Sequence, residues 1–391
     1  MYKIIMFMLL IYSYSFSQGY ETIINSIVNN NKELKAYSQY LNSINIESKF
    51  NNLPLNPEIE YAYLKGSGTS KQELIISQPF EFPTIYSLKS DISASHYSVN
   101  NLKFKELKKQ VVLNSYNLIT DFIYQSKIIE QLDERVQNNA NILKTLEIKF
   151  ENADIGILEL NKAKSNYASI KAKLNLAKVE LNYIKSSIIN LNGGANIEIN
   201  INDYPQIKLN QNLDSLIISL RNNDFNNQLF IKEKELHNNK LSLAKSGWLP
   251  TFGVGYRQEN EADIDFSGIQ LNMSIPLFEN QNKVPEAESD LNYVDLKHQS
   301  YFSNFNNEKK RLFERAKLLE ALLNEQKSLI DDKQYEMNKK SLEVGHISLS
   351  QFYLDNTIYY EVLDSILEIE RDYQKSIYDL LIENNFLIFE E

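Results

Sequence analysis

Hydrophobic residues follow two rhythms along this chain. After Gly156, Leu160, Tyr167, Leu174, Leu181 and Ile188 recur every seven residues; Ala163, Ile170, Ala177, Ile184 and Leu191 recur at the same interval, three positions later. Two apolar positions per heptad form a seam along one side of an α-helix, the pattern of helices packed as in a coiled coil. Leu312, Ala316, Leu319, Leu323 and Ile330 trace a similar seam. The stretches 84–155, 157–192, 206–246, 286–344 and 346–391 contain neither proline nor glycine. Uninterrupted runs of that length predict helices far longer than those of an ordinary globular domain.

The second rhythm has period two. Phe252, Val254 and Tyr256 alternate with Gly253 and Gly255; Ile269, Leu271, Met273 and Ile275 alternate with Gln270, Asn272 and Ser274. Ile59, Tyr61 and Tyr63 alternate with Glu58, Glu60 and Ala62, whereas 72–80 is less regular because Leu74, Ile75 and Ile76 are consecutive. Side chains point to opposite faces of a strand in turn, so each segment has one apolar and one polar face. Strands are predicted at about 58–65, 72–80, 251–259 and 266–276, and their length and alternation fit an outer-membrane β-barrel.

The chain also repeats itself. Leu160, Tyr167, Leu174, Leu181 and Ile188 have counterparts in Phe352, Tyr359, Ile366, Tyr373 and Leu380, each 192 positions on. Phe150 through Ile155 matches Leu342 through Ile347 at the same offset, Asn56 through Tyr63 matches Leu249 through Tyr256 at 193, and Gln78-Pro79-Phe80 matches Ile275-Pro276-Leu277 at 197. Separated anchors at nearly one offset define tandem repeats. They span 18–200 and 205–391, each reading helix, two strands, very long helix, turn, long helix, with hairpin tips at about 150–157 and 342–349.

Lys3, the apolar run Ile4 through Ile11 and the small residues ending Ser15-Phe16-Ser17-Gln18 read as a signal peptide over 1–17. The run is too short for a helical membrane span of ~20 residues. Four strands cannot close a barrel, and an open sheet edge in lipid leaves unpaired amides. If the strands span a membrane, several copies must share one barrel.

Composition removes most alternatives. With 41 Lys+Arg against 51 Asp+Glu, the net charge of −10 argues against a nucleic-acid partner. The absence of cysteine excludes disulfides, thiolate metal sites and cysteine nucleophiles. The four histidines at 96, 237, 298 and 346 stand singly. His346 reads as polar cover on a turn. Asp331-Asp332 and Glu390-Glu391 lack calcium-loop spacing, and Gly66-Ser67-Gly68 lacks the lysine of a phosphate loop and reads as a hairpin turn. With no Gly-x-Ser-x-Gly or His-Glu-x-x-His either, no enzyme, catalytic residue, cofactor or metal site is expected.

Asn56-Pro57-Glu58 where the first strand begins, Gln78-Pro79-Phe80-Glu81-Phe82-Pro83 at the strand-to-helix exit, Trp248-Leu249-Pro250 at the second-half strand, and the turn motifs Phe150 through Ala163 and Leu342 through Asp355 occur in a duplicated order. In that order the chain resembles the TolC family of outer-membrane channel proteins. The resemblance implies a mainly α fold with a small β part: a homotrimer with a twelve-stranded barrel in outer-membrane lipid. It also implies an α-helical tunnel in the periplasm and a mixed belt near 192–212 and the C-terminal tail. It implies a passive duct that meets a periplasmic adaptor at Ala153, Asp154, Ile155, Gly156, Gly345, His346, Ile347 and Ser348, and through it an inner-membrane pump. Small toxic compounds or metal ions are the expected cargo. Ala153 stands where the family has a turn glycine. A positive φ is costly for alanine, so the first turn is expected to shift toward Gly156.

The family's aspartate ring at the inner end is absent. Gln351 and Asp355 are the candidate gate residues, their threefold repetition setting ion preference as charged rings do in other pores. Two alternatives remain: an exported coiled-coil structural protein without a pore, and the exit duct of a type I protein-secretion system.

Overall fold

The computed structural model describes residues 19–385 except 51, 52, 206, 208, 210, 211, 263 and 332. The expected signal peptide, Asp332 and Glu390-Glu391 lie outside the described residues. The first half runs α1 (residues 19–30), α2 (Lys32–Phe50), β1 (Glu58–Lys65), β2 (Ser70–Phe80), α3 (Pro83–Glu151) and α4 (Ile157–Leu191). The second runs α5 (Leu213–Asn223), α6 (Phe225–Ser246), β3 (Thr251–Glu261), β4 (Ile264–Ser274), α7 (Lys283–Leu329), α8 (Gln334–Glu343) and α9 (Leu349–Asn385).

Helix α3 has 69 residues, about 100 Å at ~1.5 Å per residue. It begins at Pro83, whose missing N–H costs nothing in a first turn and whose φ is already helical. Its counterpart in the second half is not continuous. The helix expected over 286–344 breaks between α7 and α8, where the Asp331 side chain accepts from Lys333 N at 2.9 Å and Gln334 N donates to Asp331 O at 2.9 Å. An aspartate that bonds its own downstream backbone offers the chain a turn in place of the helix.

The strands form one antiparallel sheet in the order β1-β2-β3-β4. Its register aligns Ile59, Ile76, Tyr256 and Ile269 in one row and Glu58, Ser77, Gly255 and Gln270 in the adjacent row. The sheet therefore has an apolar face and a polar face, and the apolar face is bare: Ile59 is 71% and Ile269 83% exposed. Gly255 permits the close approach of β2 and β3, since a Cβ there would lie 2.7 Å from Ile76 O.

The chain divides into two compact units. One comprises residues up to 35, 107–223 and 305 onward; the other comprises 36–106 and 224–304. In the first, α4 buries Leu160, Ala163, Leu174, Ala177, Ile184 and Ile188, its heptad seam. Leu174 and Ala177 pack on Leu132, Ile128, Ile129 and Val136 of α3. Helix α9 buries the equivalent row, Phe352, Tyr359, Ile366, Tyr373 and Leu380. Each large side chain so buried contributes about 1.5–3 kcal/mol. Ion pairs add specificity of register between antiparallel α3 and α9: Lys109–Glu383 at 2.7 Å, Asp121–Lys375 at 2.7 Å and Arg135–Asp364 at 2.6 Å. In the second unit, Val99 of α3 packs with Leu229 and Leu236 of α6. Asp224 caps α6 by accepting from Asn226 N and Asn227 N, both at 3.1 Å.

Candidate functional site: helical tips and sheet faces

Helix α3 ends in a left-handed cap. Ala153 has φ 60°, Asp154 N donates to Lys149 O at 2.8 Å, and Ala153 N donates to Phe150 O at 3.0 Å. Helix α8 ends identically: Gly345 has φ 78°, His346 N donates to Ser341 O at 2.9 Å, and Gly345 N to Leu342 O at 3.1 Å. Both turns are Schellman motifs, which satisfy the last carbonyls of a helix. The expected shift of the first turn toward Gly156 does not occur; Gly156 has φ −83° and precedes α4 as its N-cap. Two carbonyl bonds, with Ile155 packed into a cluster of Leu146, Leu160, Ala163 and Leu349, outweigh an alanine penalty of roughly 1–2 kcal/mol.

That cluster includes residues of both hairpins, so the two tips share a core. Lys162 Nζ also donates to Ser350 Oγ at 2.7 Å. Of the eight tip residues, Ile155 and Ile347 turn inward, Ile347 against the Tyr335, Phe352 and Tyr359 cluster. Ala153, Asp154, Gly156, Gly345, His346 and Ser348 are exposed. Beside them lie apolar residues that sequence reasoning passed over: Leu158 is 81% exposed, and Ile157 and Val344 are exposed too. The signal was present, because Leu158 stands outside the Leu160/Ala163 seam. Glu151, Asp154, Glu159 and Glu343 give the turns negative charge, and neither 150–161 nor 341–348 contains a lysine or arginine.

Gln351 and Asp355 come together. Gln351 Nε2 donates to Asp355 Oδ1 at 2.6 Å, one turn apart on α9, and Gln351 N donates to Ser348 Oγ at 3.2 Å. Leu354 and Ile358 share their exposed face, while Phe352 and Tyr359 lie buried on the other. His346 has no companions: among the described residues no group of three His, Asp or Glu side chains could hold a metal ion.

On the sheet's polar face, Arg257 Nη2 lies 2.8 Å from Glu73 and 3.0 Å from Glu259, and Lys71 Nζ lies 2.5 Å from Glu259. Glu58, Glu60 and Glu261 share that face by register. The opposite face carries Tyr61 and Tyr63 toward one end, Tyr256 midway and Phe80 and Phe252 toward the other, all exposed. Among the described residues no helix is long and apolar enough to cross a membrane. Helix α4 also has a bare side, where Leu158, Leu176, Val179 and Tyr183 are all exposed.

Comparison with solved structures finds this arrangement again. CusC, described for folding and transmembrane channel formation, superposes with a TM-score of 0.78 at 14% identity, covering 93% of this chain and 92% of that one. The Campylobacter jejuni outer-membrane channel CmeC gives 0.73 at 15% identity, covering 93% and 85%. The outer-membrane protein VceC of Vibrio cholerae gives 0.77 at 12%, covering 93% and 95%. This is the TolC fold. No protein-family model matches the chain, and no curated protein matches it by sequence. At such identities the likeness to the TolC-type channels is one of fold, and it extends over nearly the whole described chain.

Proposed function

We propose that the chain is a passive exit duct of the outer membrane, extending into the periplasm and coupled through an adaptor to an inner-membrane pump. The observation that carries this reading is the bare row Ile59–Ile76–Tyr256–Ile269 on a sheet whose opposite face is polar. In water that face is a liability, and in lipid it is a requirement. Among the described residues, no strand pairs with the outer edges of β1 and β4. Lipid tolerates a sheet only when its edges are closed. Three copies give twelve strands, each β4 pairing with a neighbour's β1.

The polar face then lines the barrel, and the bare side of α4 packs on the next copy as a second coiled-coil seam. Transport energy comes from the pump. Exposed Leu158 and Val344, rimmed by Asp154, Glu159 and Glu343, suit an adaptor hairpin with an apolar ridge and basic flanks. Gln351 and Asp355 repeat three times around the inner end, where their hydrogen bond holds a polar constriction. Small toxic compounds or metal ions are the cargo class.

Light scattering of the detergent-extracted protein tests the assembly. Three chains per particle support the duct, and a detergent-independent monomer or dimer supports an exported coiled-coil rod.

A further inference from the structure

A cavity of about 550 Å³ opens in the unit formed by 36–106 and 224–304, where the strands meet the helices. Thr251 and Ser274, which line it, are register partners on the sheet's polar face. Its floor is apolar, with Ile85, Leu243, Leu249 and Ala287. The volume lies in the ~300–1,000 Å³ range of small-molecule sites, which pair an apolar lining with a few placed polar groups.

Asn280 supplies such a group. It is 5% exposed, it lines the cavity, and its side chain makes no hydrogen bond among the described residues. Its amide lies against Gly247, where a Cβ would come within 2.5 Å of Asn280 Oδ1, so the glycine leaves room for it. Its amide atoms keep contact with solvent, so a ligand in the cavity can reach and bond them. Around the rim stand Lys240, Lys283, Glu279 and Glu286, none in an ion pair among the described residues, while Asp290 lies 3.8 Å from His237 Nδ1 and Glu81 and Lys89 neutralise each other.

From this geometry we infer that the cavity binds a drug-sized amphipathic zwitterion. The apolar body covers the floor, a polar group bonds the Asn280 amide, and the two charges meet the uncommitted lysines and glutamates. A ligand of one sign would meet repulsion from the like-charged residues of the rim; a zwitterion meets partners of both signs. In the proposed duct this makes a resting site for cargo on the lumenal side of the junction between sheet and helices. The inference rests on that reading for its role, though the cavity itself belongs to one chain.

Trp248, the only tryptophan in the sequence, adjoins the lining residues Gly247 and Leu249 and provides the test. Nε-dansyl-lysine combines an apolar ring system with a zwitterionic end and accepts energy from tryptophan. Titrated into full-length protein held in amphipol, it is expected to give saturable Trp248-sensitised emission. Ala244→Phe, which fills the cavity, should weaken binding more than tenfold; Asn280→Ala should weaken it severalfold, and Lys310→Ala, at an exposed position on α7, should leave it unchanged. Circular dichroism and light scattering of each variant establish that it folds and assembles. Absence of saturable emission, or emission that survives Ala244→Phe, overturns the inference. So does loss of assembly in Ala244→Phe without binding in the unsubstituted protein, which would assign the cavity to a neighbouring copy. Pore formation without dansyl binding defeats the site alone; dansyl binding without pore formation defeats the duct alone.

Discussion

Ala153 and Gly345, 192 positions apart, occupy the same left-handed corner of the backbone, with φ 60° and 78°. Each closes a helix with the same pair of carbonyl bonds, and only one is the residue that conformation favours. Ala153→Gly should therefore stabilise the first tip by about 1 kcal/mol, and Gly345→Ala should destabilise the second by about 1–2 kcal/mol. Hydrogen exchange of the tip amides reads both changes; equal effects of one sign would mean the two caps are not equivalent.

The sheet predicts an asymmetry between neighbouring residues. Leu271→Lys places a charge on the bare apolar face, and its cost in lipid is roughly 2–4 kcal/mol at mid-membrane depth. Gln270→Lys changes the polar face and should be tolerated. Yield of folded protein in lipid vesicles separates the two variants. Similar yields would argue that neither face touches lipid.

At the inner end, Gln351→Asp sets two carboxylates one turn apart in every copy and should raise cation preference. Asp355→Ala should lower it and break the hydrogen bond to Gln351. Reversal potentials in a salt gradient measure this. No shift in either variant would place the constriction elsewhere.

Leu158→Asp and Val344→Asp, the exposed apolar residues beside the turns, should abolish pump-dependent efflux while leaving conductance intact. Efflux of a fluorescent substrate in cells, beside bilayer recordings of the same variants, distinguishes lost docking from lost folding. Undiminished efflux would remove the tips from the adaptor interface.

Burial and the nearby Lys240 cation hold the His237 imidazole below its ordinary pKa, against a partial pull from Asp290 and Glu233. The unfolded chain then binds more protons than the folded one just below about pH 6.5, so stability falls as pH drops through that value. His237→Gln should flatten the loss between pH 7.5 and 5.5, read by hydrogen exchange of α6. An unchanged slope would assign it to another group.

The period-seven and period-two patterns made the helices and strands legible, because burial on one side of an element writes itself into residue spacing. Leu160 and Phe352, 192 positions apart, are both buried, as a shared seam requires. The break after Leu329 was not legible: Asp331 is compatible with a helix, and only its bond to Lys333 N chooses the turn. The corner at Ala153 is not legible for a related reason, since a local alanine penalty is visible in a residue name and the Ile155 packing that overrides it is not. Leu158 belongs to the turn motif over 150–163, but its exposure is set by packing that the seam at Leu160 and Ala163 does not show.

Planar-bilayer recording of the purified protein tests the central claim most directly. The duct predicts discrete conductance steps from a three-chain particle, with Gln351→Asp shifting ion preference. A protein that folds and remains silent in the bilayer would contradict it.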